Sequence, residues 1–126
     1  MFNNLNVVIG IAGGIAAYKS CGIVSFLKSQ GANVDVIMTK NACEFITPLT
    51  LETLSGNKVI VDMFDRPDHM DVKHISLAKK ADLFLVVPAT ANIIGKVANG
   101  IADDMLSTTI MATKAPVVFA PAMNNG

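Results

Sequence analysis

Short apolar runs alternate with stretches of helical periodicity along the chain. Five of these runs predict strands, and helical patterns lie between most of them. This alternation is typical of right-handed crossovers between parallel strands, with helices on both faces of the sheet. The predicted fold class is therefore α/β, a doubly wound parallel sheet in three layers (α/β/α). The predicted strands are residues 7–12, 34–39, 58–62, 83–88 and 116–120.

The helical patterns predict where each helix lies and which side it buries. The first helix, residues 14–29, should bury the apolar positions that recur at helical spacing, namely Ile15, Gly22, Ile23, Phe26 and Leu27. A second helical stretch follows Thr39 and is interrupted at Pro48. Further helices are predicted at residues 71–81, 91–99 and 104–112, the last with Asp103 as its N-cap.

Composition narrows the class of protein. The chain is 52% hydrophobic and only 16% charged, which favours a subunit interface, a parallel sheet buried on both faces, or both. Ten basic and ten acidic residues cancel, so no net field attracts nucleic acid or an acidic membrane. Cys21 and Cys43 are too few for a disulfide framework. With no signal peptide or membrane-length apolar run, we expect a soluble cytoplasmic protein.

A glycine-rich turn follows the first predicted strand. Gly13, Gly14 and Ile15 lead into a helix, and small residues at a helix N-terminus let the backbone approach a phosphate. A dinucleotide site would need a carboxylate at the end of the second strand, but that strand ends at Thr39, and Asp35 lies inside it. The turn therefore indicates a monophosphate ligand rather than NAD, with an ordinary tight turn as the alternative.

A second polar turn follows the fourth predicted strand. Thr90, Ala91, Asn92 and Ile93 open a helix there and offer hydroxyl and amide groups to a polar ligand. Lys96, further along the same helix, is interpreted as a surface charge.

His74 shares a predicted helix face with Leu77, Ala78 and Ala81. It is either a general base at a sheet edge or subunit interface, or a core histidine bound to a backbone carbonyl. The chain ends soon after residues 121–124, Pro-Ala-Met-Asn, at the strand end where such sheets bind ligands.

In order and spacing, four segments together resemble the homo-oligomeric flavin-containing cysteine decarboxylases, which include the phosphopantothenoylcysteine decarboxylases of coenzyme A synthesis. The segments are the glycine turn with Ala16, residues 74–82, residues 98–103 and residues 121–124. The resemblance implies FMN as cofactor and a flavodoxin-like sheet. It also implies self-association as trimers, often as dodecamers, with FMN between neighbouring subunits.

The resemblance also implies roles for individual residues. His74 would be the catalytic histidine, and Asn124 would hold the carboxylate of the substrate. No metal site is expected. The FMN-binding residues would be Gly13, Gly14, Ile15, Thr39, Thr90, Ala91, Asn92, Ile93 and Ala122.

The implied reaction converts phosphopantothenoylcysteine to phosphopantetheine. The substrate thiol is oxidised to a thioaldehyde, carbon dioxide leaves, and the product is reduced again. Family members continue into a substrate flap and a proton-donating cysteine, so we expect residues 1–126 to be a single FMN-binding domain truncated after the Pro-Ala-Met-Asn motif. The oxidative half-reaction is then expected, without full turnover. Alternatives are a lantibiotic-type peptidyl-cysteine decarboxylase, a non-catalytic FMN-binding or regulatory subunit, and an NAD-type module.

Overall fold

The computed structural model describes residues 1–61 and 72–121, except for the side chains of residues 72–74. In this part of the chain the strands are β1 (Asn6–Ile11), β2 (Asn33–Met38), β3 (Ile60–Val61), β4 (Leu83–Ala89) and β5 (Val117–Pro121). The helices are α1 (Lys19–Ser29), α2 (Pro48–Ser55), α3 (Val72–Lys80), α4 (Ala91–Ala98) and α5 (Met105–Ala112). Short 3₁₀-helices cover Ile15–Tyr18 and Asn41–Glu44.

The five strands form one parallel sheet in the order β3-β2-β1-β4-β5. Helices α1 and α2 pack on one face, and α3, α4 and α5 pack on the other. The prediction of a doubly wound, flavodoxin-like parallel sheet in three layers is confirmed. Because β1 is central and its neighbours β2 and β4 lead to helices on opposite faces, the chain diverges at the carboxyl end of β1.

Strand β1 shows why the buried strands are continuous apolar runs. Val7, Ile9 and Ile11 are completely buried against one helical layer, and Val8 is completely buried against the other. Gly10 lets α5 approach closely, since a Cβ at this position would lie 2.6 Å from Leu106 Cδ1.

The first helical segment departs from the prediction. A 3₁₀-turn precedes α1, and its tighter winding rotates the helix relative to a continuous α-helix. Leu27 is buried and Ile23 half-buried as predicted, but Gly22 is exposed, and Ile15 and Phe26 are 80% and 57% exposed. The side that packs on the sheet instead consists of Ala17, Ser20, Val24 and Leu27.

Helix starts and one strand also differ from the prediction. Pro48 begins α2 instead of interrupting a helix, because proline lacks only an N–H that the first turn leaves unpaired, and Thr47 provides the cap. The N-cap of α5 is Asp104, not Asp103, since its carboxylate accepts a hydrogen bond from the Ser107 N–H at 2.7 Å. The third strand is predicted at residues 58–62. Among the described residues it covers only Ile60–Val61, and residue 62 lies outside them.

Candidate functional site

A cleft of about 280 Å³ opens at the carboxyl edge of the sheet, where β1, β2 and β4 end. The change of direction around β1 creates this crevice, and ligands of open α/β sheets bind at such a place. The lining residues are Ala12, Gly13, Thr39, Asn41, Thr90, Asn92, Ile93, Lys96 and Asp104.

Two threonine hydroxyls in the cleft are held by backbone contacts. Thr39 Oγ1 accepts a hydrogen bond from the Ala42 N–H at 3.1 Å, and Thr90 Oγ1 accepts one from the Ile93 N–H at 3.3 Å. A hydroxyl that accepts from the protein still has its own proton to donate. Both threonines can therefore donate to oxygen atoms of a ligand without introducing a charge.

The turn after β1 is closed on one side by Asn41. A Cβ placed at Gly13 would overlap the Asn41 side chain, so only glycine fits between β1 and the 3₁₀-helix that follows β2. Gly14 has no such neighbour within 4 Å. The close fit at Gly13 keeps both the backbone of the turn and the Asn41 amide at the wall of the cleft.

An ion-pair cluster borders the cleft between α4 and α5. The Lys96 ammonium lies 2.7 Å from Asp104 Oδ2 and 2.9 Å from Asp103 Oδ1. The side chains of Lys96 and Asp104 are only 16% and 6% exposed, whereas that of Asp103 is 60% exposed. The interpretation of Lys96 as a surface charge is therefore wrong. The contact could not be predicted from helical spacing, because Lys96 lies in α4 and Asp104 caps α5.

The contact between Lys96 and Asp104 favours the charged form of both groups. The hydrogen bond to Asp104 is the main cause that raises the pKa of Lys96, and the contact with Asp103 raises it further. Burial alone would raise the pKa of Asp104, but hydrogen bonds from Lys96 and Ser107 outweigh burial and hold that pKa below its usual range. One ammonium faces two carboxylates, so this end of the cleft carries a net negative charge.

The N-terminus of α4 lies at the same cleft and is left without a counter-charge. Thr90 caps it with a neutral hydroxyl, and its first turn contains no acidic residue. The helix dipole then favours an anion at this position. With the glycine turn and the two hydroxyls, the cleft suits an oxygen-rich ligand that carries a phosphate.

The structure brings several of the predicted site residues together. Gly13, Thr39, Thr90, Asn92 and Ile93 all line this one cleft although they come from three parts of the chain. The neighbouring predicted residues Gly14, Ile15 and Ala91 are not among its lining residues.

The remaining predicted residues are only partly described. His74 lies in the first turn of α3, and its side chain is outside the description. Leu77 and Ala78, predicted on the same helix face, are buried against the sheet. Ala122 and Asn124 lie outside the described residues.

Neither cysteine lines the cleft. Burial raises the pKa of the Cys21 thiol, and burial together with the neighbouring Glu44 raises that of Cys43. Both thiols are therefore poor nucleophiles near neutral pH. Within residues 1–61 and 72–121, no three His, Cys, Asp or Glu side chains are grouped as a metal ion would require. In the same ranges, no helix is long and apolar enough to cross a membrane.

Known sequences match nearly the whole chain. The family model described as "Flavoprotein" matches residues 1–126. The bifunctional coenzyme A biosynthesis protein CoaBC of Bacillus subtilis is 55% identical over 124 residues, which are 98% of this chain and 30% of that protein. The chain thus spans about 30% of the length of the curated relatives it matches.

Solved structures share the fold. The FMN-dependent cysteine decarboxylase SpaF superposes with a TM-score of 0.86 at 29% identity, covering 99% of this chain and 72% of that one. A PPC decarboxylase in complex with pantothenoylaminoethenethiol superposes with a TM-score of 0.76 at 28% identity, covering 98% of this chain and 69% of that one. On the match over all 126 residues, the chain belongs to the flavoprotein family.

Proposed function

We propose that this chain binds FMN and decarboxylates phosphopantothenoylcysteine to phosphopantetheine in the cytoplasm, as a step of coenzyme A biosynthesis. The observation that carries the proposal is the 55% identity to a coenzyme A biosynthesis protein over 98% of the chain. The SpaF and PPC decarboxylase structures, at 29% and 28% identity, support a cysteine decarboxylase but do not separate a peptide from a small-molecule substrate.

The cleft fits FMN. Thr39 and Thr90 offer neutral donors for phosphate or ribityl oxygens, and Gly13 provides a backbone that a ligand can approach. NAD fits less well, because no carboxylate stands at the end of β2 to bind ribose hydroxyls. Asp35, inside β2, is instead paired with Lys80 at 2.8 Å.

Catalysis in this proposal rests on two further residues. Bound FMN supplies a two-electron acceptor and donor, so the decarboxylation needs no external redox partner. His74, at the start of α3, accepts the proton that leaves the substrate. The buried Leu77 and Ala78 hold this helix on the sheet and limit its movement. Asn124 donates its amide N–H groups to the substrate carboxylate and thereby orients it.

We also propose that the chain self-associates as a trimer or as a dodecamer of four trimers. Ile15, Tyr18, Gly22 and Phe26 form an exposed apolar stripe along the first helical segment, and Ile15, Tyr18 and Phe26 are 80%, 60% and 57% exposed. A soluble monomer would rarely expose such a continuous apolar surface. A neighbouring copy that covers this stripe would also stand next to the glycine turn.

A second candidate is a peptidyl-cysteine decarboxylase. The peptidyl-cysteine decarboxylase EpiD superposes about as well as the PPC decarboxylase, with TM-scores of 0.78 and 0.76 at 26% and 28% identity. Sequence identity is a better guide to the substrate than structural similarity, because proteins of one fold act on many different substrates. The identity to CoaBC is 55% and that to EpiD is 26%, so the small-molecule substrate is favoured.

The test is an anaerobic absorbance titration of the purified chain. We expect a flavin band in the visible spectrum, which bleaches when phosphopantothenoylcysteine is added and persists when a peptide with a C-terminal cysteine is added. Bleaching by the peptide alone would establish the second candidate instead. A flavin band that neither compound bleaches would indicate a non-catalytic flavin-binding subunit, and a colourless protein that takes up no FMN would refute the proposal.

A further inference from the structure

We propose that Lys96 is a ligand-contacting residue, which donates one N–H of its ammonium to an uncharged oxygen of bound FMN, either a ribityl hydroxyl or a ring carbonyl. The inference rests on the proposed function, because FMN is taken as the ligand. It adds a residue and a chemical role that neither the motifs nor the fold had indicated.

The first argument is the number of hydrogen-bond donors. A lysine ammonium has three N–H donors. Asp104 Oδ2 at 2.7 Å and Asp103 Oδ1 at 2.9 Å occupy two of them, and the structure gives Lys96 no other ion pair in the described residues. Because the side chain is only 16% exposed and lines the cleft, a ligand in the cleft is the natural acceptor for the third.

The second argument concerns which part of the ligand Lys96 meets. With two carboxylates around one ammonium, the net negative charge repels a phosphate but leaves an N–H for a neutral oxygen. Lys96 also lies six residues after the N-cap Thr90, about 9 Å along α4 from the helix end that favours an anion. The N-terminus of α5 cannot compete for the phosphate, because Asp104 caps it.

These charges would orient the ligand. The phosphate would lie toward the glycine turn and the start of α4, and the uncharged part of the flavin would lie toward Lys96. A purely structural role is the competing explanation, in which the Lys96–Asp104 pair only fastens α4 to α5. The two explanations differ in what happens when both charges are removed together.

The test compares the affinity of the chain for FMN and for riboflavin, measured by flavin fluorescence quenching, with thermal stability measured in parallel. Lys96→Met should weaken riboflavin binding about ten- to a hundredfold, as expected for loss of one charge-assisted hydrogen bond. FMN binding should weaken by more, because the net negative charge at this end of the cleft also increases. The substitution should also lower the melting temperature, since it removes the ammonium that faces the buried Asp104 carboxylate. Asp104→Asn retains a capping side chain and should strengthen FMN binding, because a negative charge is removed.

The double variant Lys96→Met/Asp104→Asn decides between the two explanations. We expect it to recover most of the lost melting temperature but none of the lost riboflavin affinity. Because its net charge equals that of the wild type, it should bind FMN and riboflavin more weakly by the same factor. Recovery of both the melting temperature and the riboflavin affinity would show a structural role only and overturn the inference. A loss confined to FMN, with riboflavin unaffected, would place Lys96 at the phosphate and overturn it as well. A wild-type chain that binds neither flavin would refute the proposed function together with the inference.

Discussion

The Lys80 ammonium lies 2.8 Å from the Asp35 carboxylate and joins the last turn of α3 to the middle of β2. The two side chains differ in exposure, 45% for Lys80 and 14% for Asp35. Losing the lysine therefore leaves a mostly buried carboxylate without its partner, whereas losing the carboxylate leaves an ammonium that water can reach. The pair holds the helix that carries His74 on the sheet.

This asymmetry predicts unequal costs. Lys80→Met should lower the free energy of unfolding by about 1–3 kcal/mol, and Asp35→Asn should lower it by less than about 1 kcal/mol. Urea unfolding of both variants measures the difference. Lys79→Met is the matched control, because Lys79 is exposed and has no ion pair in the described part of the chain. Equal costs for the two partners would mean that burial of Asp35 does not matter.

His74→Asn separates a catalytic from a structural histidine. We expect the variant to stay folded and yellow but to show no bleaching with phosphopantothenoylcysteine, because the proton acceptor is gone while the cleft is intact. The measurement is the anaerobic absorbance titration, with the melting temperature as a check on folding. Loss of flavin or of folding in this variant would assign His74 to the core instead.

Gly13→Ala should weaken FMN binding at least tenfold. The new Cβ would overlap the Asn41 side chain and push it from the cleft wall. The double variant Gly13→Ala/Asn41→Gly provides the control, because it removes the overlapping amide while keeping the new methyl group. Binding by the double variant should exceed that of Gly13→Ala. If it does not, the glycine is required for approach of the ligand and not for the fit to Asn41.

Phe26→Glu should reduce the oligomer to smaller species. A carboxylate within the apolar stripe would be buried without a partner if a second copy covers it. Light scattering coupled to size-exclusion chromatography gives the mass. Leu49→Glu is the control, since Leu49 on α2 is 69% exposed but lies outside the stripe. An unchanged mass for Phe26→Glu would exclude the stripe as the interface.

Acid should remove the stabilisation that Asp104 provides. Its pKa is lowered in the folded chain, so the ionised carboxylate stabilises the fold above its unfolded pKa of about 3.9, and this contribution is lost as the pH falls through the folded pKa. Asp104→Asn should therefore be less stable than wild type by about 1–2 kcal/mol near pH 6, and the difference should shrink below pH 4. Urea unfolding across this range tests it; a difference independent of pH would contradict it.

The strands and the edge where the cleft lies could be predicted because their causes are local. Buried parallel strands are apolar on both faces, which makes them recognisable as continuous runs, and β1 and β4 are examples. Gly13 and Thr90 lie within two residues of the ends of these strands, so their meeting at one edge follows from parallel topology alone.

The sequence-based predictions were wrong where a single contact, either very local or between distant residues, decides the structure. A single 3₁₀-turn rotated the first helix and exposed Ile15 and Phe26, and an apolar pattern cannot reveal such a turn. The Lys96–Asp104 pair joins two helices through a loop, so no spacing rule connects the two residues. Asp103 and Asp104 are adjacent acids. Only the hydrogen bond that Asp104 accepts from the Ser107 N–H identifies Asp104 as the N-cap of α5.

The central position of β1 has a consequence for the stability of the domain when the cleft is occupied. The walls of the cleft come from the segments after β1, β2 and β4, which lead to helical layers on opposite faces of the sheet. A molecule bound there touches both layers at once, although their cores are separate clusters. Since both layers pack on one continuous sheet, we expect an occupant of the cleft to stabilise the whole domain rather than one layer of it.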